Sequence, residues 1–525
     1  MLVLADQRIE LDPRPALARG PVLEVAMLGH CPGRVRWDRL AADRQVAAEI
    51  MALGFQAEVA RLQALAGGLA AEPADEPLCG LQLLPIPIYS LAQFQDLFPE
   101  AFQEPGRCRS RLAGSRAWLP WAVEDFFRAA APLPDGAKKL WVIRVPETVP
   151  NAPPQAAFLP DPEADLLDPA RLGAFERALL IPHLGLVALP DLERLQIPAN
   201  LADIPRLRLP NPEPVFLPAG TDLDDSHRER RHSSEMPRAE GPLPLAQVAA
   251  PIVQTLSRLR PDVTCLLTLP LDEEPAAERP CASAAGLASL AAMAREEAVA
   301  GGHGLFRLQL LYPYLRGKNR PLASPVGIVA GAMAETAARQ GPWRSVAGRP
   351  LPGPSLPYPP VRQDEATRLR EDPGIGVLLA RRGRLELDDE RLLRPAVPRA
   401  SFLATAAARR ARHASDFRSG ELARFLGWLR RQLVALGEQL VFDVDPRDPR
   451  PQMALAAFAG RLHRLGALRG PLPEQAFRVQ QSMEGESTVV LSLEIAPSLP
   501  IDRIRITFSH DRASGQTGSS LTVGS

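Results

Sequence analysis

The sequence predicts an α/β core, a mostly parallel sheet flanked by helices, followed by a smaller α+β domain at the C-terminal end. Three observations carry this. Helix-patterned segments alternate with short apolar runs between residues 81 and 400, and apolar runs without polar alternation mark strands buried on both faces of a parallel sheet. Pro is abundant, 56 of 525 residues, about twice ordinary usage, so the elements are short. Beyond residue 400 the pattern changes to two helices and then strands of regular alternation.

Residues 1–80 form an N-terminal segment with a helix, assigned to pack with the C-terminal domain. Val46, Ile50, Leu53, Leu62 and Leu65 fall at helical spacing, interrupted at Gly54. Residues 81–400 form the α/β core. The helix around "AVEDFF" (122–127) precedes the strand "LWVIRV" (140–145), and "ALLIPHLGLVAL" (178–189) is a further apolar run. The helix "LAQVAAPIVQTLSRL" precedes "DVTCLLTLPL" (262–271), and "AAGLASLAAMAREEAVA" precedes "GLFRLQLLYPYL" (304–315). Residues 205–243 are too polar and Pro-rich to pack and are read as an exposed loop. "GRPLPGPSLPYPPV" (348–361) reads as an extended connection.

Residues 401–525 form the C-terminal domain. Leu422, Phe425, Leu426, Leu429, Leu433, Leu436 and Leu440 make one apolar helix face. "LVFDVDP" (440–446) reads as a short strand, and Met453, Leu455, Phe458, Leu462 and Leu465 as a second helix. The strands "QAFRVQ", "STVVLSLEIA" and "IDRIRITF" follow. In the last, Ile504, Ile506 and Phe508 alternate with Arg503, Arg505 and Thr507, which is the period of a half-buried strand. It leaves an open edge before a polar tail.

Charge excludes some partners. With 61 basic and 61 acidic residues there is no global field for nucleic acid or an anionic membrane. The cysteines at 31, 79, 108, 265 and 281 have no metal-ligand spacing and are odd in number, which fits a reducing cytoplasm. The N-terminus "MLVLADQRIELDPRP" lacks a positive region, and no run approaches ~18 apolar residues, so neither export nor direct membrane insertion is expected.

The sequence carries no phosphate-binding loop, dinucleotide fingerprint, nucleophile elbow or zincin helix. His183 reads as a core or sheet-edge histidine, His227 and His232 as part of a solvated loop, and "DLDD" (222–225) as a charged loop without EF-hand spacing. His30 and Cys31 are adjacent, and neighbours in a strand point opposite ways. No catalytic, cofactor-binding or metal residue is assigned. A structural protein is favoured, with a doubly wound α/β hydrolase or transferase carrying an unrecognised site as the alternative.

Several stretches, in order, resemble the contractile tail sheath family of phage tails and injection systems. They are "IYSLAQFQDLFPEAF" (88–102), "LPWAVEDFFRAAA" (119–131), "LWVIRV" (140–145), "YPYLRG" with "SPVGIVAGAMAETAARQGPWRSVAG" (312–317, 324–348), and "LGALRGPLPEQAFRVQ" with "LEIAPSLPIDRIRITF" (465–480, 493–508). Pro325 and Gly327 open a helix there, Gly331 and Ala334 let it lie close to another element, and Trp343 is an anchor. The "PGVYVEE"-like opening common in the family is absent. The resemblance implies a cytoplasmically assembled protomer, without cofactor, that polymerises in many copies around an inner tube protein and contracts to drive it through a target envelope. Baseplate and terminal cap proteins are the further partners implied, and a non-contracting baseplate component is the variant reading. It also implies strand exchange between subunits, with Ile504, Ile506 and Phe508 as subunit-linking residues and the chain from Ser509 onward reaching a neighbour. Arg424, Arg430 and Arg431, on the polar side of their helix, are the implied tube-facing candidates.

Overall fold

A computed structural model describes residues 22–31, 33, 35–66, 81–102, 117–147, 151–201, 208–210, 229–231, 241–274, 279–300, 307–317, 320–353, 355–371, 373–393, 418–440, 449–484, 488–498, 503–511 and 516–524. The first strands are β1 (Glu24–Gly29), β2 (Ile86–Ile88), β3 (Leu140–Arg144), β4 (Leu184–Ala188), β5 (Arg208–Pro210), β6 (Glu229–Arg231) and β7 (Thr264–Thr268). Next come β8 (Leu271–Glu274), β9 (Arg279–Ala282), β10 (Leu308–Tyr312), β11 (Tyr314–Gly317), β12 (Arg320–Ala323), β13 (Pro350–Leu351) and β14 (Leu356–Tyr358). Then follow β15 (Gly376–Arg381), β16 (Arg384–Leu387), β17 (Phe477–Glu484), β18 (Thr488–Ile495), β19 (Arg503–Asp511) and β20 (Gln516–Gly524).

Nine strands form one sheet in the order β13-β16-β15-β10-β7-β4-β1-β3-β2. The six from β15 to β3 are parallel neighbours, and antiparallel strands close both sides. The apolar runs explain the parallel centre: β1, β3, β4, β7 and β10 are buried at every position, as strands covered on both faces must be. Smaller sheets are β12-β11-β14, β17-β18-β19-β20, β5-β6 and β8-β9.

Three expectations change. The N-terminal segment, read only for its helix, also contributes β1 to the centre of the large sheet, between β3 and β4. Its apolar run "EVAMLG" has the same unalternated character as the other central strands. Within 205–243, β5 and β6 pair as a short antiparallel ribbon; the rest of that stretch, except residues 241–243, lies outside the described residues, and of the strand expected at 440–446 Leu440 ends the helix Gly420–Leu440 while 441–446 lie outside them. The polar tail is also a strand: β20 pairs with β19 from Arg503↔Gly524 to Asp511↔Gln516, so the edge expected to be open is closed within the chain. Ser and Thr at alternating sites with Leu521 and Val523 suit an extended, half-polar strand.

The helices Leu119–Ala129 and Val326–Gln340 cross closely, as the small residues predict. A Cβ on Gly327 would lie 2.4 Å from the Ala122 carbonyl oxygen, and one on Gly331 2.4 Å from that of Phe126. No side chain fits either gap, and the backbones there cannot yield without moving a helix. By contrast, nothing lies within 4 Å of a Cβ on Gly437 in the helix Gly420–Leu440. Urea unfolding should therefore show Gly331→Ala destabilising by about 1–3 kcal/mol through overpacking. Gly437→Ala should stabilise by about 0.5–1 kcal/mol through helix propensity. Equal effects at the two glycines would refute the close crossing.

Candidate functional site at the carboxyl edge of the sheet and the C-terminal helix seam

Strand β1 is followed by β3 on one side and β4 on the other, so the chain reverses direction across the sheet at β1. In open α/β sheets the crevice beyond the carboxyl ends of the strands at such a point is where ligands bind. Here the chain's own groups bond to one another across it. Asp191, fully buried just after β4, accepts at Oδ1 from the Trp118 amide (2.9 Å) and Arg194 Nε (3.0 Å). At Oδ2 it accepts from the amides of His30 (2.9 Å) and Leu119 (3.0 Å). Four donors fill the carboxylate's capacity. The helix Leu119–Ala129 has no side-chain cap of its own, and Asp191 supplies it across 72 residues. The helix N-terminus that would attract an anion is thereby satisfied internally. Gly29 is required beside it, since a Cβ there would meet Asp191 Oδ2 and Leu119 Cβ, each at 2.6 Å.

His30 is buried in the same cluster, with Arg194 donating to its Nδ1 at 2.8 Å. An arginine cannot accept, so this ring nitrogen is the lone-pair side of a neutral imidazole. Burial, reinforced by the Arg194 charge and opposed by Asp191, brings His30 down to about 4. Glu193, also buried, accepts from the Thr268 amide at 2.9 Å, tying the end of β4 to the end of β7. Burial pushes its carboxyl up to about 8, and Asp191 adds to the rise.

The second cluster seats the helix Gly420–Leu440 on the core. Arg424 and Arg431 stand two turns apart on one stripe, with Gly427 between them. Arg424 donates to Glu390 (2.6 Å) and to the Arg344 carbonyl (2.8 Å), while Glu390 also accepts from the Val346 amide (2.5 Å) and Ser345 hydroxyl (3.0 Å). Arg431 donates to the Asp262 carbonyl (2.9 Å) and carboxylate (3.1 Å). Arg260 grips that carboxylate from the other side at 3.0 and 2.9 Å, and reaches the Leu179 and Ile181 carbonyls at 2.6 and 2.9 Å. Burial alone would raise Asp262, yet the hydrogen bonds and charges of Arg260 and then Arg431 hold it below the usual carboxylate range. A Cβ on Gly427 would lie 2.2 Å from the Asp262 carbonyl oxygen. Trp343, Phe425 and Trp428 pack edge to face and stacked around the same helix.

These positions correct the reading of the helix's polar side. Arg424 is 6% and Arg431 9% exposed, so both face the protein interior, where distant carboxylates neutralise them. Only Arg430 of the three is exposed. His183 lies exposed in the turn before β4 instead of in the core, because the apolar run around it breaks at Pro182. Asp225, His227 and His232 lie outside the described residues. Ile504, Ile506 and Phe508 lie in β19 and pair on both sides within the chain, opposite Ile495, Leu493 and Leu491 in β18 and opposite Val523, Leu521 and Ser519 in β20. The sheet edges are β17 and β20. Sequence reasoning missed Asp191 and Glu193; the one local signal was two acids straight after an apolar strand run. Among the described residues no group of three or more His, Cys, Asp or Glu is placed to hold a metal ion, and no helix is long and apolar enough to cross a membrane.

A search of solved structures finds a chain of the anti-feeding prophage baseplate in the contracted state. It is 14% identical, with a TM-score of 0.51, over 100% of this chain and 93% of that one. The chain shares the fold of that baseplate protein. Other similar structures are the anti-feeding prophage helical sheath in the contracted state (13% identity, 96% of each chain, TM-score 0.48) and the PVC sheath complex of an extracellular contractile injection system (12%, 95% and 96%, TM-score 0.46). Of these three only the first exceeds 0.5, and the fold assignment rests on it. No protein-family model matches the chain, and no curated protein does.

Glu193 gives the cluster at the carboxyl edge a measurable signature. Its folded pKa is raised above the unfolded value of about 4.3, so the folded state binds the proton more tightly. The associated stability is complete below pH ~4.3 and is lost as pH rises through about 8. Glu193→Gln should flatten the fall in unfolding free energy between pH 5.5 and 8.5 measured in urea. An unchanged slope would place a charged, solvated carboxylate at this site.

Proposed function

We propose that the chain is a structural subunit of the tail sheath type, which polymerises in many copies around an inner tube and contracts to drive the tube through a target envelope. The observation that carries this is the fold shared, over the whole chain, with a protein of a contracted injection-system baseplate. The hydrogen bonds by which Asp191 and Glu193 hold helices and strands together at β1 support a structural role. Subunits joined head to tail through non-closing contacts give stacked rings or a helix. The stroke is a change between two packings of one subunit.

Strand exchange, on this reading, uses the sheet edges β17 and β20, with the internal strand bearing Ile504, Ile506 and Phe508 as the template they extend. Arg430 is the tube-facing candidate on its helix. Baseplate and cap proteins are the partners at the ends, and assembly is cytoplasmic. A second reading, a non-contracting baseplate component, is favoured by the baseplate origin of the structure whose TM-score exceeds 0.5.

Electron microscopy of the purified protein, alone and with a candidate inner-tube protein, separates these readings. Striated tubes of two lengths, extended and contracted, are the expected result. Single rings confined to a baseplate would select the second reading, and monodisperse monomers with a substrate turnover would overturn both.

A further inference from the structure

Most large apolar side chains are covered, and the two most exposed among the described residues are Leu167 at 88% and Met453 at 65%. They sit in opposite electrostatic surroundings. The helix Arg450–Arg464 buries Pro451, Leu455, Ala459 and Leu462. Its outward stripe, at steps of three and four, is Arg450, Met453, Ala457, Arg461 and Arg464, all exposed. The helix contains no acidic residue. Leu167 tops a loop whose exposed residues include Asp161, Glu163, Asp165 and Asp168.

The loop is a built surface. Its backbone is fixed by the Asp161 amide donating to Glu176 (2.6 Å), by Arg258 donating to the Ala164 carbonyl (2.7 Å), and by the Glu163 and Leu167 amides donating to Asp161 and Asp165 at 2.9 and 3.0 Å. The carboxylates are therefore presented without the ordering cost a free loop would incur. The basic stripe runs about 21 Å along the helix at 1.5 Å per residue. Charge and one exposed apolar side chain on each surface are complementary.

We propose that the outward face of the helix Arg450–Arg464 docks the acidic loop Asp161–Asp168 of a second copy of this chain, with Leu167 seated on Met453, a contact that rests on the self-assembly reading and gives it residues. It joins two different patches, so it is heterologous and propagates instead of closing a dimer. Like-charge repulsion between two helix faces or between two loops excludes the symmetric alternatives.

Charge reversal tests it in the full-length chain. Arg461→Glu with Arg464→Glu on the helix, and Glu163→Lys with Asp165→Lys on the loop, should each raise the concentration needed for assembly by on the order of tenfold. The chain carrying all four should recover assembly. Failure of the four-fold variant to recover, with circular dichroism and melting unchanged, overturns the pairing. So does normal assembly of either reversal, or loss of tube co-assembly alone in the helix variant. A second measurement does not need polymers: Leu167→Cys protein mixed with Met453→Cys protein should, on mild oxidation, give more cross-linked dimer than either alone. That result would stand even if no tubes form, in which case the sheath reading alone fails; its absence overturns the contact in any assembly.

Discussion

The docking of the helix Gly420–Leu440 is the constraint on which the rest of the chain's organisation depends. Two arginines two turns apart enter the interior, and each is met by a carboxylate from the α/β core, Glu390 for Arg424 and Asp262 for Arg431. A buried pair of this kind adds little net stability, because desolvation opposes the Coulomb attraction, but losing one partner costs about 3–5 kcal/mol. Its effect is on register. With Gly427 between the two pairs, pressed against the Asp262 carbonyl, a shift of the helix by a single residue would separate Arg424, Arg431 and Glu390 from their ionic partners and leave Asp262 with Arg260 alone. Trp343, Phe425 and Trp428 then fill the space that the ion pairs define.

The consequence is mechanical. The apolar residues of the large sheet, of this helix and of strand β18 belong to one continuous core, so a force applied at the C-terminal sheet reaches the α/β core through packed side chains. The carboxyl edge of the large sheet follows the same economy. In an enzyme of this architecture the helix N-terminus and the acids after the strands would face a substrate; here Asp191 and Glu193 hold β1, β4, β7 and the helix Leu119–Ala129 to one another. These bonds join strands and a helix that are distant in sequence into one unit.

Much of the core was legible in the sequence because its signal is local. Unalternated apolar runs marked β3, β4, β7 and β10, and the Pro325–Gly327–Gly331 spacing marked a close helix crossing that the glycine gaps match. The same rule applied to "EVAMLG" gives β1, but a helix-patterned stretch immediately after it dominated the reading of that segment. The tail became β20 because Ser and Thr pair in a sheet as readily as they solvate a loop, and the choice is made by β19 alongside. Arg424 and Arg431 read as outward, tube-facing candidates because a charge on the polar side of a helix is usually exposed. Their partners lie 34 and 169 residues away, and no local pattern reports a carboxylate at that distance. The small Gly427 between them was the one available sign of close approach.

The central claim is that the C-terminal helix and the α/β core fold and move as one body, with the chain's own groups bonded to one another across the crevice at β1. Native-state hydrogen exchange tests it most directly, because it reads the opening free energy amide by amide. The account predicts that the amides of His30, Trp118 and Leu119 exchange only with global unfolding, and that residues 424–433 of the helix do so at the same free energy. Exchange of the helix amides several kcal/mol below the amides at Asp191 would show that the helix detaches as a separate unit, and would contradict the account.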